Sequence, residues 1–448
     1  MSEYLRRRWA GSKTYRVVLV TTIAYAIFRL AVQGVYIAIM LSPEPALGGV
    51  KPQVSMVPID LQVYLDAAKH FQQKQDLYLE TLERIEYHFP YPPAYALAFT
   101  PFLWLSPAAV SIVHTLLRIA AYILLYVCWH RIFRHLNLDR ANEMLAWTLP
   151  LWLVFPAFWN DLGYLNIYII MALLSTLLIE AILKERLVGA LVWLSLILQT
   201  KPMWAFAAAV PLLLGRYRFF IKLVTWAVPV YVAIAGVTIL VAGPSYGWEQ
   251  YTEYARLLTR LGDDFPWREM ANGFLGYNHS IKQIVIYFLG ETKGAIYLAT
   301  GIKVALLLPL AVTSLRYLFQ SSQHTNRRMP YIGLELAFVL YLGAFIWLDI
   351  VWEVSLGIAI FTYLLATLEQ RWSKMLTWGV FLLYALVDPL QVLGAILALC
   401  GMNTILPGPY VTTDLSAYFP IVMLVILTFY GLLLKRLWDV RSVYLLAR

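Results

Sequence analysis

Charge and cysteine are what this sequence has least of. Only 14% of its 448 residues are Asp, Glu, Lys or Arg, against about 25% in soluble domains. So few charges cannot clothe a water-soluble surface, which excludes a soluble enzyme, a disordered protein and a coiled coil. The two cysteines, Cys128 and Cys400, stand in apolar runs, so no disulfide framework exists. No Cys/His group has the spacing of a structural zinc site. Internal repeats, low-complexity tracts and a compositionally distinct second domain are also lacking. What is present is apolar: 61% of the residues are hydrophobic and the mean hydropathy is +0.67.

A helix that crosses a bilayer needs about 20 apolar residues. Runs of this kind lie at 16–41, 107–130, 143–158, 162–183, 219–242, 292–315, 331–348, 354–368, 375–399 and 415–437. Two shorter runs, 187–198 and 202–214, read as a hairpin of further spans with Lys201 at its tip. The run at 92–105 would be a helix of roughly 21 Å, too short to cross, and reads as re-entrant or interfacial. The first apolar stretch is long for a signal peptide and has no small-residue cleavage pattern, so it reads as an uncleaved anchor. The expectation is an all-α polytopic membrane protein, a single domain over residues 1–448, with about 12 transmembrane helices.

Lys and Arg set the orientation. They precede the first span (Arg6, Arg7, Arg8, Lys13, Arg16), follow the last (Lys435, Arg436, Arg441, Arg448) and gather in alternate connections at 131–140, 184–186, 216–222, 316–328 and 371–374. Both termini are therefore expected in the cytoplasm. The net charge of +9 then reports topology, and no nucleic-acid partner is expected. Two long loops, 42–93 and 243–291, fall outside. Each holds an amphipathic piece, at 61–72 and 248–261, expected to lie in the interface plane against membrane lipids.

This topology brings distant polar residues to one surface. Asp60 and Asp66 are in the first outer loop; Asn160, Asp161 and Asn166 flank the next outer turn; Lys201 is at the hairpin tip. Asn278, His279 and Lys282 end the second loop, and Asp349, Trp352 and Glu353 follow the span at 331–348. Asp60 follows a proline and opens an amphipathic helix, so it reads either as a helix cap or as a general base. Lys201 reads either as a snorkelling cation or as a phosphate ligand. Arg118 lies mid-span with His114 one turn before it, and such a charge is either paired or bound to a ligand. Arg29 and Lys303 pose the same question. A carboxylate, scattered cations and membrane-hugging loops fit a transferase that uses a lipid phosphate. The rival reading is a transporter or flippase for a lipid-linked or anionic substrate, in which the intramembrane charges line a pathway.

Five stretches, in order, resemble the family 87 glycosyltransferases of the GT-C superfamily. They are DLQVYLDAAKHF from Asp60, FPYPPAYALAFTPFLWL from Phe89, NDLGYLNIYIIMALL from Asn160, LILQTKPMWAFA from Leu196 and NHSIKQIV from Asn278. Two departures stand out. The later outer turn reads Trp352-Glu353-Val354-Ser355 where the family often carries Trp followed by His, and the Gly-Gln of the turn after 158 is replaced by Asp161-Leu162-Gly163. The resemblance implies a GT-C-like bundle in a bacterial cytoplasmic membrane, with the active site on the outer face. It implies a polyprenyl-monophosphate sugar as donor, most often mannose, and a hydroxyl of a glycolipid or glycan as acceptor. It makes Asp60 the catalytic base and Lys201 the leading donor-phosphate ligand, with His279 second and Arg118 beside them; Asp66, Tyr91, Asn160, Asn166, Asn278, Trp352 and Glu353 are expected to bind substrate. Asp263 and Asp264 are adjacent rather than spaced for a nucleotide-sugar metal, and neither a metal nor another cofactor is expected.

Overall fold

The computed structural model describes residues 2–41, 57–78, 89–264, 267, 269–270, 275–319, 331–402 and 419–446. Among these, every regular element is a helix. The chain begins with a basic surface helix α1 (Ser2–Gly11) and the long α2 (Lys13–Leu41). The first loop contributes α3 (Ile59–Gln73) and α4 (Pro93–Phe99), the latter continued by a 3-10 turn at Thr100–Trp104. This short pair occupies the segment expected not to cross. After Pro107 the apolar run continues without a breaker as α5 (Pro107–His135).

The run at 143–158, expected to be one span, is three helices: α6 (Asp139–Trp147), α7 (Leu149–Leu153) and α8 (Pro156–Tyr164). Pro150 and Pro156 explain the breaks, since each lacks an N–H and sits in the first turn of the helix it opens. Then α9 (Tyr168–Leu183) leaves at 119° to the α7–α8 segment. The chain continues through α10 (Leu187–Leu198), a 3-10 helix at Pro202–Ala209, α11 (Val210–Leu213), α12 (Tyr217–Ala242) and α13 (Pro244–Asp264). It ends with α14 (Ile281–Leu289), α15 (Lys293–Phe319), α16 (Ile332–Trp347), α17 (Gly357–Thr367), α18 (Arg371–Ala385), α19 (Val387–Leu399) and α20 (Ile421–Leu446).

Six segments among the described residues are long and apolar enough to cross a membrane, seven if the bent α7–α9 unit counts as one, and four more apolar helical segments are shorter. The chain is thus an all-helical integral membrane protein. Parts of the expected loops at 42–93 and 243–291 lie outside the described residues.

The short helices are the central ones. Phe338, Tyr341, Ile358 and Phe361 of α16 and α17 are fully buried. The long α2, α12 and α15 expose Val20, Ile27, Val228, Val232, Val304 and Leu308, the apolar outer surface that lipid requires. Backbone that leaves the helix at membrane depth is tolerated only where protein covers it, so short, broken helices belong in the middle. Close approach helps: a Cβ on Gly343 of α16 would stand 2.6 Å from Leu310 of α15.

Helix α3 buries Leu61, Ala68 and Phe71, as its spacing predicts, but Tyr64 rather than Leu65 completes the buried face, Leu65 being half-buried. Helix α13 is tied to the segment that follows α3: the Tyr246 hydroxyl donates to the Gln75 carbonyl at 2.6 Å, and the Leu77 N–H donates to Gln250 Oε1 at 2.8 Å.

Candidate functional site

Asp60 sits in the first turn of α3, but Pro58 is the N-cap and no side chain caps the helix. The carboxylate turns instead to the α8–α9 junction, where Asn166 Nδ2 donates to Asp60 Oδ2 at 2.9 Å. Asn166 is fixed on its other side, its Oδ1 accepting from the Tyr64 hydroxyl at 3.2 Å and from the Ile167 N–H at 2.6 Å. Tyr64 lies one helical turn after Asp60 and shares a 3.0 Å hydrogen bond with Tyr91. Tyr91 stacks on Tyr95 with ring centroids 4.5 Å apart, and Tyr78 donates to the Tyr91 carbonyl at 2.8 Å.

Asp60 is half-buried, and its carboxyl is pushed up to about 6. Burial among protein atoms is the main cause. The charge of Lys201, the Asn166 hydrogen bond and the charge of Arg118 act in the opposite sense. A carboxyl in that range is well matched to accept a proton near neutral pH.

Lys201 arrives from the end of α10. Pro202 excludes helical backbone at the residue before it, and Lys201 is extended (φ −129°, ψ 90°). This turns its side chain out of the helix line. Its ammonium lies 3.8 Å from the Tyr168 ring centroid and 5.2 Å from that of Tyr91. Lys201 is 8% exposed, and among the described residues no carboxylate forms a salt bridge with it. A buried cation held by aromatic faces and left without an anion is a place for one.

Arg118 is brought close but faces another way. It is 1% exposed. Its guanidinium donates to the carbonyls of Leu165 and Asn166, to the His114 carbonyl at 2.9 Å, and meets His114 Nδ1 at 3.1 Å. Asp161 Oδ2 is 3.8 Å from Arg118 Nε. Arg118 therefore braces the junction from beneath and pairs with Asp161, the paired alternative of the two that the sequence left open. His114 also meets the short segment at 92–105, stacking on Phe99 at 5.2 Å.

The remaining expected residues form a second group. Asn160, next to Asp161 on α8, donates to Glu353 Oε1, and Tyr384 donates to the other oxygen of Glu353. Asn278 Nδ2 donates to the Asp349 carbonyl at 2.8 Å, and its Oδ1 accepts from the Val351 N–H at 2.9 Å and the Ser280 N–H at 3.0 Å. The His279 N–H donates to the Val351 carbonyl at 2.7 Å. These bonds clip the 278–282 and 349–353 loops together. Both Lys282 (3.5 Å) and Lys303 pair with Asp349.

His279 is buried, and burial lowers its imidazole to about 3. Burial thus favours the neutral imidazole, which meets a phosphate through an N–H rather than a charge. No hydrogen bond or salt bridge joins it to Asp60 or Lys201. Trp352 is half-buried, its Nε1 without a partner among the described residues. Asp66 accepts from Gln62 Nε2 at 2.7 Å along its own helix.

Sequence reading passed over Tyr64 and Tyr168. Tyr64 was legible from its position four residues after Asp60, on the same helical face. Tyr168 had only its place two residues after Asn166.

The described residues thus bring together an acid, a cation with no salt bridge among them and a tyrosine cluster. Residues 89–343, more than half of the chain, match the family model of glycosyltransferase family 87. The chain belongs to that family and is a membrane glycosyltransferase. No curated protein and no solved structure matches it.

Proposed function

We propose that this glycosyltransferase moves a sugar, mannose by family frequency, from a polyprenyl-monophosphate donor to a hydroxyl of a glycolipid or glycan. Asp60 is the general base and Lys201 the donor-phosphate ligand. The observation that carries the reading is the pairing of a half-buried carboxyl pushed up to about 6 with a buried ammonium whose charge acts on it, and which forms no salt bridge among the described residues.

The acceptor oxygen attacks the anomeric carbon as its proton passes to Asp60. The bond from that carbon to the phosphate oxygen breaks, and the departing phosphate takes the electron pair. Its growing charge falls to Lys201, already positioned and largely dry, where such compensation is strong. The leaving group is an anion already, so one carboxylate suffices, unlike the pair in glycoside hydrolases. Displacement in one step inverts the anomeric centre. No metal or other cofactor takes part.

We place this site on the outer face of a bacterial cytoplasmic membrane, with both termini inside. The shorter helices complete a GT-C-like bundle of about 12 crossings. The segment at 92–105 and the interfacial helices α3 and α13 border the lipid chain of the donor.

The transporter reading loses its main support in the charges it relied on. Arg29 pairs with Asp388, Lys303 with Asp349, and Arg118 with backbone carbonyls. The test is transfer of radiolabelled mannose from polyprenyl-phosphate-mannose into a membrane-lipid extract, by wild type and by Asp60→Ala. Transfer that vanishes in a folded, donor-binding Asp60→Ala supports the reading. Equal transfer by both removes Asp60 as base, and no transfer with any donor sugar returns the transporter.

A further inference from the structure

The turn between α8 and α9 touches both halves of the proposed chemistry. Asn166 holds the Asp60 carboxylate at 2.9 Å. Two residues later, Tyr168 offers its ring to the Lys201 ammonium at 3.8 Å. Acid and cation belong to different segments, 141 positions apart in the numbering, yet eight consecutive residues define where each one sits.

Those eight residues are held unusually firmly. Asp161 closes the turn at both levels: its carbonyl accepts from the Asn166 N–H at 3.0 Å and its Oδ1 from the Tyr168 N–H at 2.7 Å. Leu165 adopts the left-handed conformation (φ +52°), which a side-chain-bearing residue resists. Its side chain is fully buried, and its carbonyl accepts from Arg118. The next carbonyl, that of Asn166, accepts from Arg118 as well. A bend of 119° frees these carbonyls from the helical ladder, and one buried guanidinium takes both. Gln33 of α2 adds a bond to the Leu162 carbonyl at 2.9 Å. Strain held in place by surrounding contacts is characteristic of functional turns.

We propose that the 161–168 turn is a positioning device shared by base and cation: Asn166 orients the Asp60 carboxylate, Tyr168 seats the Lys201 ammonium, and Arg118 locks both through the Leu165 and Asn166 carbonyls. The inference rests on the reading of Asp60 as base and Lys201 as phosphate ligand. It assigns Asn166, Tyr168 and Arg118 as positioning residues that act through Asp60 and Lys201. The turn thereby fixes the gap between the point where the proton is taken and the point where the phosphate leaves.

The test measures kcat, donor KM and the pH profile of full-length protein in detergent. Asn166→Ala removes a hydrogen bond to a charged group, so kcat falls roughly 10-fold or more and the acid limb moves up by about one pH unit. Its donor KM stays within about twofold. Tyr168→Leu removes the cation's aromatic seat and raises donor KM by about threefold to tenfold, while Tyr168→Phe, which keeps the ring, matches wild type. Arg118→Lys changes kcat and donor KM together.

An acid limb unmoved in Asn166→Ala, or a wild-type donor KM in Tyr168→Leu, overturns the shared device. So does a Tyr168→Phe variant as impaired as Tyr168→Leu. Asp60→Ala, measured alongside, separates the two levels of the argument. If it retains transfer, the catalytic reading fails. If it is inactive while the turn variants behave as wild type, the turn inference alone fails.

Discussion

Asn166 Nδ2 stands 2.9 Å from Asp60 Oδ2, bridging 106 positions of sequence. That bond joins the first loop to the bend that splits α8 from α9, and it makes the proposed base a partner rather than a helix cap.

Asp60→Asn abolishes transfer and leaves the protein at least as stable. With its carboxyl pushed up to about 6, Asp60 binds its proton more readily in the folded chain than in the unfolded one. Folding stability from this group is therefore highest below the unfolded value near 3.8 and is lost as pH rises through 6. A neutral isostere removes that cost of about 1–3 kcal/mol near pH 7. Thermal unfolding in detergent, read beside the transfer assay, checks both halves; an unfolding temperature well below wild type contradicts them.

Transfer falls as pH drops below about 6, because the protonated Asp60 accepts no proton. The cationic Lys201 lowers the Asp60 value, so Lys201→Met moves this limb to higher pH and raises donor KM. A limb that stays in place when Lys201 is replaced shows that the charges are not coupled.

His279 does not set that limb. Its imidazole, lowered to about 3 by burial, stays neutral throughout the working range. His279→Asn leaves the pH dependence of kcat unchanged even where it lowers expression or stability. A profile that shifts with this substitution means that His279 titrates in the reaction.

Chelation leaves transfer intact. Lys201 supplies the positive charge and the leaving monophosphate needs no bridging metal, so EDTA treatment followed by desalting returns full activity. Loss restored by a divalent ion contradicts this.

Arg29→Met is strongly destabilising, by about 3–5 kcal/mol, because it strands Asp388 in the interior. The pair is 2% exposed on both sides, with a 2.9 Å contact. Arg29→Met combined with Asp388→Leu recovers much of the loss. Equal damage in the single and double variants shows that Arg29 acts through its other contacts, among them the face of Trp159 at 5.3 Å.

Much of this was legible in the sequence, and the rest was hidden for identifiable reasons. Apolar runs of full length gave α5, α12 and α15 nearly as drawn, because lipid selects on length and hydropathy alone. Of the polar residues expected on one surface, Asn166 bonds to Asp60, and Lys201 lies near it against the Tyr91 ring. Their individual duties were not readable. Arg118 looked like a ligand for phosphate until the bend supplied two free carbonyls, and no pattern in 143–183 announces a bend of 119° beyond Pro150 and Pro156. Asn278 looked like a substrate contact, but its amide is taken by the backbone of 349–351. Such duties depend on which carbonyls and N–H groups a break releases, and that is decided in three dimensions.

The Arg29–Asp388 pair also constrains how the protein is made. The two residues are 359 positions apart, and a ribosome adding about 5–20 residues per second takes roughly 20–70 s to reach the second after the first. Throughout that interval the first span carries a cation whose partner has not been synthesised. Its guanidinium must be sheltered by the insertion machinery, by water or by the lipid headgroups. The bundle closes only when one of the last helices arrives, so a chain truncated before Asp388 loses the carboxylate that its first span is built to meet.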